Sequence, residues 1–338
     1  MNVLNVDLNG NSPTVISTFA GCGGSSLGYK LAGFRELLVV ELDDNAVETF
    51  RLNFPGVPVY HGDIAKLTGA ECMRLAGVKA GELDVFDGSP PCQGFSTAGK
   101  RKLDDPRNSL FKEYARLLRE LQPRIFVMEN VTGMVKSYMK QTYLAIIQTL
   151  RDCGYRCKGE VLNAMYFNVP QSRERVIIIG VRNDLNIEPS HPKPKTKPIT
   201  VREALDGCQD TSGKPFPEWL RNAAKEMDAG NYNHQHVFRA FMRYKGTSGG
   251  SRSFKLLAWD RHSCTICKEW ISSSGIGHPN RERWLSIGEL KRIASFPDTF
   301  MLTGKFKQQL ARIGNSVPPN LMRAIAEHIR QNILSCVD

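Results

Sequence analysis

Between Val15 and Glu129, short runs of β-branched and aliphatic residues alternate with helical patterns, and a glycine or a carboxylate stands within two residues of the end of each run. The runs are Val15 to Phe19, Leu37 to Glu41, Val57 to Tyr60, Leu83 to Phe86 and Ile125 to Glu129. This rhythm predicts a parallel sheet with helices on both faces, because parallel neighbours need a crossover and the crossover is usually a helix. In open sheets of this kind ligands gather at the carboxyl ends of the strands, so the residues that follow each run carry the most information.

After Val176 to Gly180 the texture changes. Pro189, Pro192, Pro194 and Pro198, interleaved with Lys193, Lys195 and Lys197, read as a linker that cannot be helical. From about Leu185 to Leu285 periodicity is poor, Gly and Ser cluster from Gly246 to Ser253, and basic residues outnumber acids by six. The whole chain carries +11, so this third of the sequence holds more than half of the excess. Helical patterning resumes at Ile287 to Ala294 and at Leu321 to Ile333. The sequence has no internal repeat. A chain of 338 residues, 41% hydrophobic, holds enough for one large domain and a smaller one, and excludes a disordered or fibrous protein. The start lacks a basic segment followed by a long apolar run, and stretches such as Val176 to Val181 are too short to span a bilayer. A cytoplasmic protein with no membrane partner is expected, its nine cysteines reduced.

The turn Phe19-Ala20-Gly21-Cys22-Gly23-Gly24-Ser25-Ser26 follows a strand and opens a helix, as a nucleotide-binding turn does. The third glycine of a dinucleotide fingerprint would fall at Ser26, so alone the turn fits a tight structural bend equally well. Glu41, at the end of the second run, is placed to accept from ribose hydroxyls, and Asp63 at the end of the third to accept from an adenine amino group. Each singly reads as an ordinary strand-end carboxylate. Together they fit a nucleoside cofactor that needs no pyrophosphate.

The fourth run leads into Asp87-Gly88-Ser89-Pro90-Pro91-Cys92-Gln93-Gly94-Phe95-Ser96. Two prolines stiffen the backbone ahead of a cysteine and fix where its sulfur points. A thiol with its ordinary pKa of about 8.5 is little ionised at neutral pH yet strongly nucleophilic. The fifth run ends in Glu129-Asn130-Val131, which puts a carboxyl beside Cys92. In Gln171-Ser172-Arg173-Glu174-Arg175, alternation predicts that both arginines share one face at the start of a strand. Taken alone, that pair reads as solvated surface.

The turn Phe19 to Gly24, Pro90-Pro91-Cys92-Gln93, Glu129-Asn130-Val131, Gln171-x-Arg173-x-Arg175 and Gly314-Asn315-Ser316-Val317-Pro318 occur in the order and spacing of the DNA (cytosine-5) methyltransferases of bacteria and phages. The likeness runs from about Val15 to Ile329, apart from the basic middle segment. It implies an α/β, Rossmann-like, mostly parallel doubly wound sheet that binds S-adenosylmethionine and releases S-adenosylhomocysteine, with a smaller irregular target-recognition domain. The implied division is residues 1–187 and 315–338 for catalysis, 188–284 for target recognition and 285–314 as a connecting helix and hinge. The resemblance assigns Phe19, Gly21, Cys22, Gly23, Gly24, Glu41, Leu42, Asp63, Ile64, Pro91, Leu110, Asn315 and Ser316 to the cofactor. It assigns Cys92 to attack on C6 of cytosine, Glu129 to the proton at N3, and Arg173 and Arg175 to the base carbonyl and a phosphate. Gln93 and Ser96 join the two arginines in touching DNA. Because C6 is out of reach in a stacked duplex, the target cytosine should flip out.

The basic segment then reads as the DNA-facing domain. His262 to Ile266 resembles a Thr-containing stretch late in that domain, and Leu285 to Asp298 resembles the joining helix, although Gly288 stands where an arginine is usual. Double-stranded DNA is the expected partner of a monomer, with a cognate restriction endonuclease acting separately or a stand-alone modification role. Methylation of an exocyclic nitrogen competes, since Ser89-Pro90-Pro91 also resembles that class, but its loop usually carries an aromatic where Cys92 stands. The tRNA branch carries a Cys-Phe-Thr signature that is missing here. A non-catalytic relic would have lost Cys92 or the glycine turn, and a nicotinamide oxidoreductase leaves Pro90-Pro91-Cys92 unexplained. Cys264-x-x-Cys267, with His262 or the Cys153 and Cys157 pair, is a weak metal pattern, and no metal is expected.

Overall fold

A computed structural model describes residues 12–91, 109–135, 139–232, 234–251, 253–270 and 275–337. Cys92, Gln93 and Ser96 lie outside the described residues. The strands are β1 (Thr14–Thr18), β2 (Arg35–Glu41), β3 (Val59–His61), β4 (Val85–Gly88), β5 (Ile125–Val131), β6 (Tyr155–Asn163), β7 (Glu174–Arg182), β8 (Phe254–Leu256) and β9 (Gly275–Gly277). The helices are α1 (Gly24–Leu31), α2 (Asp44–Asn53), α3 (Gly69–Ala76), α4 (Ser109–Leu121), α5 (Lys140–Asp152), α6 (Val201–Leu205), α7 (Glu218–Glu226), α8 (His234–Lys245), α9 (Ile287–Ile293), α10 (Phe306–Asn315) and α11 (Pro319–Asn332).

Seven strands form one sheet in the order β3-β2-β1-β4-β5-β7-β6. Every pairing from β3 to β5 is parallel, and β7 runs antiparallel between β5 and β6. The five runs read from sequence are the five parallel strands, with ends shifted by a few residues. The order reverses between β1 and β4, and right-handed crossovers in opposite directions place the helices on opposite faces. That reversal opens a crevice at the carboxyl ends of β1 and β4. Coverage on both faces explains why Ile125 to Asn130 is buried without alternation. Tyr114 of α4 stacks on Phe86 of β4 with ring centroids 4.9 Å apart, and its hydroxyl lies 3.3 Å and 3.2 Å from the carbonyls of Phe86 and Val127. This one side chain holds α4 against the two strands whose ends carry the chemistry.

The chain divides into two compact units. The first takes the residues up to Asn163, Glu174–Lys193 and those from Leu321 on; the second takes Ala164–Arg173 and Pro194–Asn320. The second unit therefore includes the whole of 285–314 and the segment just before β7. It is less irregular than its sequence suggests. α7 and α8 pack through Leu220, Ala223, Ala224, Met227, Val237, Ala240 and Phe241 onto Phe216, Phe254 and Leu256. Much of that buried face is alanine, whose weak hydropathy hides the helical period among charged neighbours.

Gly288 also has its reason here. Its amide donates to Asp210 Oδ2 at 2.7 Å, and a Cβ would stand 2.6 Å from Asp210 Cβ, so no side chain fits. Nearby, Arg283 grips Glu289 with two bonds of 2.8 Å. Glu289 in turn closes a capping box with Ser286 at the start of α9.

Candidate active site

The turn after β1 is shaped by backbone before any side chain acts. Phe19 and Gly21 sit at φ 55° and 56°, and Gly23 caps α1 at φ 96°. A Cβ on Gly23 would strike the Phe54 ring at 2.5 Å, so glycine is required twice over, for its dihedral and for space. At Gly21 a Cβ would meet nothing within 4 Å, which marks an open side of the turn. Cys22 is wholly buried.

Glu41 closes this turn from the neighbouring strand. Its Oε2 accepts from the Gly21 amide at 2.7 Å, and its Oε1 accepts from the amides of Leu42 at 2.7 Å and Asp43 at 2.9 Å. Next to it the Leu42 side chain is 64% exposed. Asp63 ends the approach from β3, accepting from the Ala65 amide at 3.0 Å, with Ile64 buried behind it. Glycine turn, Glu41, Leu42, Asp63 and Ile64 thus line three adjacent strand ends, as the sequence led one to expect.

On the other side of the reversal, Pro90 is buried and Pro91 exposed after β4. Asn130 Nδ2 donates to the Pro90 carbonyl at 3.0 Å, tying the rigid approach to Cys92 onto the end of β5. Glu129 and Arg175 are diagonal neighbours across the antiparallel β5 and β7 pair, since Glu129 faces Ile177 and Val131 faces Arg175. Arg175 Nε donates to Glu129 Oε1 at 2.7 Å, with both side chains largely out of solvent. The sheet therefore brings a carboxylate, an arginine and the Pro90 carbonyl together where β5 ends and β7 begins.

A profile of the family described as C-5 cytosine-specific DNA methylase matches residues 13–331, nearly the whole of this arrangement. The chain belongs to that family. It is 35% identical to the Type II methyltransferase M1.HphI of Haemophilus parahaemolyticus, over 94% of this chain and 87% of that one. It is 34% identical to the Type II methyltransferase M.PspPI of a Psychrobacter species, over 94% and 79%. Its fold matches a DNA modification methyltransferase encoded within an E. coli prophage with a TM-score of 0.75 at 24% identity, over 94% of this chain and 99% of the other. The protein is a DNA (cytosine-5-)-methyltransferase, and its substrate is DNA.

In this methylase the two arginines of Gln171-x-Arg173-x-Arg175 do not share a face. β7 begins at Glu174, so alternation does not reach back to Arg173. Arg173 is 2% exposed, and its guanidinium donates to the carbonyls of Ile266 at 3.1 Å and Gly314 at 2.9 Å. It belongs to the second unit, as do both acceptors. Gln171 works beside it, accepting from the Ile266 amide at 3.0 Å, and Thr265 donates to the Ser172 carbonyl at 2.6 Å. The Thr-containing stretch is thus held by the Gln-x-Arg segment. Gly314 packs so closely on Cys267 and Lys268 that a Cβ would lie 2.5 Å from the Lys268 amide nitrogen. Asn315 ends α10 exposed, Ser316 Oγ donates to the Arg312 carbonyl at 2.7 Å, and Leu110 lies half-buried on α4.

Sequence reasoning missed Asn130 as a separate actor, although it stands inside the Glu129 motif. It also missed the acids beneath the glycine turn. Both carboxyl oxygens of Glu36 are out of water, and burial pushes this group up to about 7 against the pull of the Ser17 and Ser26 hydroxyls. Burial, and then the charge of Glu36, likewise push Asp87 up, while Tyr29 donates to it at 3.2 Å. Among the described residues no group of His, Cys, Asp and Glu could hold a metal, and no helix is long and apolar enough to cross a membrane.

Proposed function

We propose that the methyl donor is S-adenosylmethionine, held along the carboxyl ends of β1, β2 and β3, and that Cys92 is the nucleophile toward cytosine. The fit of the cofactor rests on three features: the open side of Gly21, the Glu41 carboxylate and the exposed Leu42. When bound, it supplies an electrophilic methyl group. The Phe19 to Gly24 turn and Ile64 would enclose it with Pro91 and Leu110, and Asp63 would bond its adenine; the resemblance assigns Asn315 and Ser316 to it as well.

Cytosine C5 is not nucleophilic in the aromatic ring. Addition of the Cys92 thiolate to C6 breaks that aromaticity and raises electron density at C5; after methylation, water takes the C5 proton, and the C5–H electron pair re-forms the C5–C6 double bond and expels the thiolate. The charge that builds on the ring is met at N3 by a proton from Glu129. That role needs the acid form, whereas the ion pair with Arg175 needs the carboxylate. Binding of the flipped cytosine must therefore loosen the pair, leaving Arg175 to grip the base carbonyl or a phosphate with its planar fork. Arg173 contributes by bracing the Thr265 segment, and Gln93 and Ser96 would touch DNA beside Cys92. The observation that carries this reading is the meeting of the Glu129–Arg175 pair and the Asn130-anchored Pro90 carbonyl where β5 ends and β7 begins.

The relatives are named as Type II methyltransferases. We infer the same setting here: a cytoplasmic, monomeric enzyme that protects a specific duplex site from a separately acting endonuclease. Duplex DNA carrying 5-fluorocytosine at the target tests the chemistry, because fluorine cannot leave as a proton. A covalent adduct through Cys92 is expected with S-adenosylmethionine present. No adduct on a site that the enzyme demonstrably methylates would remove C6 attack from the mechanism.

A further inference from the structure

The outer face of α8 is not used by any step above. Its inner side, Val237, Ala240 and Phe241, is committed to the core with α7. Residues spaced three and four apart then turn Gln235, Phe238, Arg239, Met242 and Arg243 outward, and all five are exposed. Phe238 is 38% and Met242 45% exposed, one turn apart and flanked by the arginines. The helix carries three basic residues and no acid. Arg243 reaches Glu226 of α7 at 3.1 Å, whereas Arg239 makes no ion pair among the described residues.

These residue types match the edges of bases. Arginine pairs with guanine O6 and N7, glutamine with adenine, and apolar groups with the thymine methyl, all in a major groove wide enough for a helix. Phosphate contacts alone would use the arginines and leave Phe238 and Met242 without purpose. A second copy of the chain would set one acid-free basic helix against another, which repels. Duplex DNA is the partner whose charge and chemistry meet both halves of the face.

We propose that the outer face of α8 reads base edges in the target duplex, with Arg239 on a guanine, Phe238 and Met242 on the apolar surface of neighbouring bases, and Arg243 moving from Glu226 to a phosphate. This rests on the reading that the enzyme methylates a specific duplex site, and it names side chains that set that specificity.

The test is methylation of a random-sequence duplex library by the purified full chain, read by bisulfite sequencing, for the wild type, Arg239→Gln and the Phe238→Ala/Met242→Ala double variant. Arg239→Gln should relax the preference at one position of the site by about tenfold or more, with thermal melting and S-adenosylmethionine binding unchanged. The double variant should relax an adjacent position. Wild-type preference in both variants would overturn the proposal. So would a uniform loss over all sequences accompanied by a salt dependence shallower by about one phosphate, the mark of a contact that reads nothing. A dimer dispersed by the double variant in sedimentation, with site preference intact, would assign the face to self-association instead. If the double variant melts early, Arg239→Gln decides alone, since that side chain makes no ion pair to lose. A wild type that leaves the library unmethylated faults the underlying reading rather than the helix.

Discussion

Arg173 and Arg175 are separated by one residue and belong to different compact units, and the contrast shows how the two units spend similar side chains. At the start of β7, Arg175 meets a carboxylate supplied by the neighbouring strand β5. In the second unit, Arg173 meets backbone carbonyls 93 and 141 residues away and braces a fold that has little sheet of its own. The first unit gets its shape mainly from strand order, with Arg116 and Arg182 bracing it through the carbonyls of Leu67 and Gln122. The second has to spend polar residues on holding itself together, and what it offers a partner lies on outer faces such as that of α8.

The strongest way to break this division is at Cys92. Cys92→Ser should lower turnover by about four orders of magnitude or more, as loss of a nucleophile does elsewhere, while gel-shift affinity for duplex DNA stays within about twofold of the wild type. Loss of both would mean that chemistry and binding are not assigned to separate regions. Next in size, Glu129→Gln should reduce kcat by about 10²- to 10⁴-fold in single-turnover assays, the range for a positioned proton donor. A variant with unchanged kcat would reduce the Glu129–Arg175 pair to a structural tie between β5 and β7.

The arginines themselves sharpen the comparison. Arg173→Met strands two buried carbonyls and should cost about 3 kcal/mol in urea unfolding, two charge-assisted hydrogen bonds being lost together. Arg175→Met should fall mainly in kcat/KM. If both variants lose activity with no change in unfolding midpoint, Arg173 acts on DNA and the division drawn here fails.

How much of this was legible beforehand follows from the same physics. Parallel strands buried on both faces read as continuous apolar runs, so β1, β2, β4 and β5 stood out, and the polar ends of β2 and β5, with that of the short β3, pointed to Glu41, Glu129 and Asp63. β6 was hidden because Arg156, Lys158 and Glu160 stud an edge strand. The brace at Arg173 was unreadable, since its partners are main-chain carbonyls that no side-chain pattern reports. α7 and α8 were blurred by alanines on the buried side and by Phe238 and Met242 on the exposed one, which breaks the usual contrast between faces. Those two side chains confused the period because they face outward in the region read as binding DNA.

The smallest expected effect separates the units by pH. Among the described residues, the carboxyls pushed up, Glu36 and Asp87, both lie in the first unit, under the glycine turn. Carboxylates held low occur in both units, Asp184 by Arg182 in the first and Asp298 by Arg292 in the second. The signs are opposite. A carboxyl whose pKa is raised on folding binds more protons in the native state than unfolded, so stability is greatest below its unfolded pKa and is lost as pH rises through the folded value, for Glu36 from about 4.5 to about 7. A carboxylate held low, as Asp298 is, adds stability above its unfolded pKa and loses it as pH falls. The full linkage for Glu36 is about 3 kcal/mol, but a buried glutamine also gives up water, so the observed gain is nearer 1–2 kcal/mol. Glu36→Gln should therefore melt with the wild type near pH 5 and above it at pH 8, the gap opening across that window. Parallel profiles would mean that water or a counter-charge reaches Glu36 in solution, and the floor of the glycine turn would then not be the dry acidic cluster that the geometry of Ser17, Ser26 and Asp87 makes it.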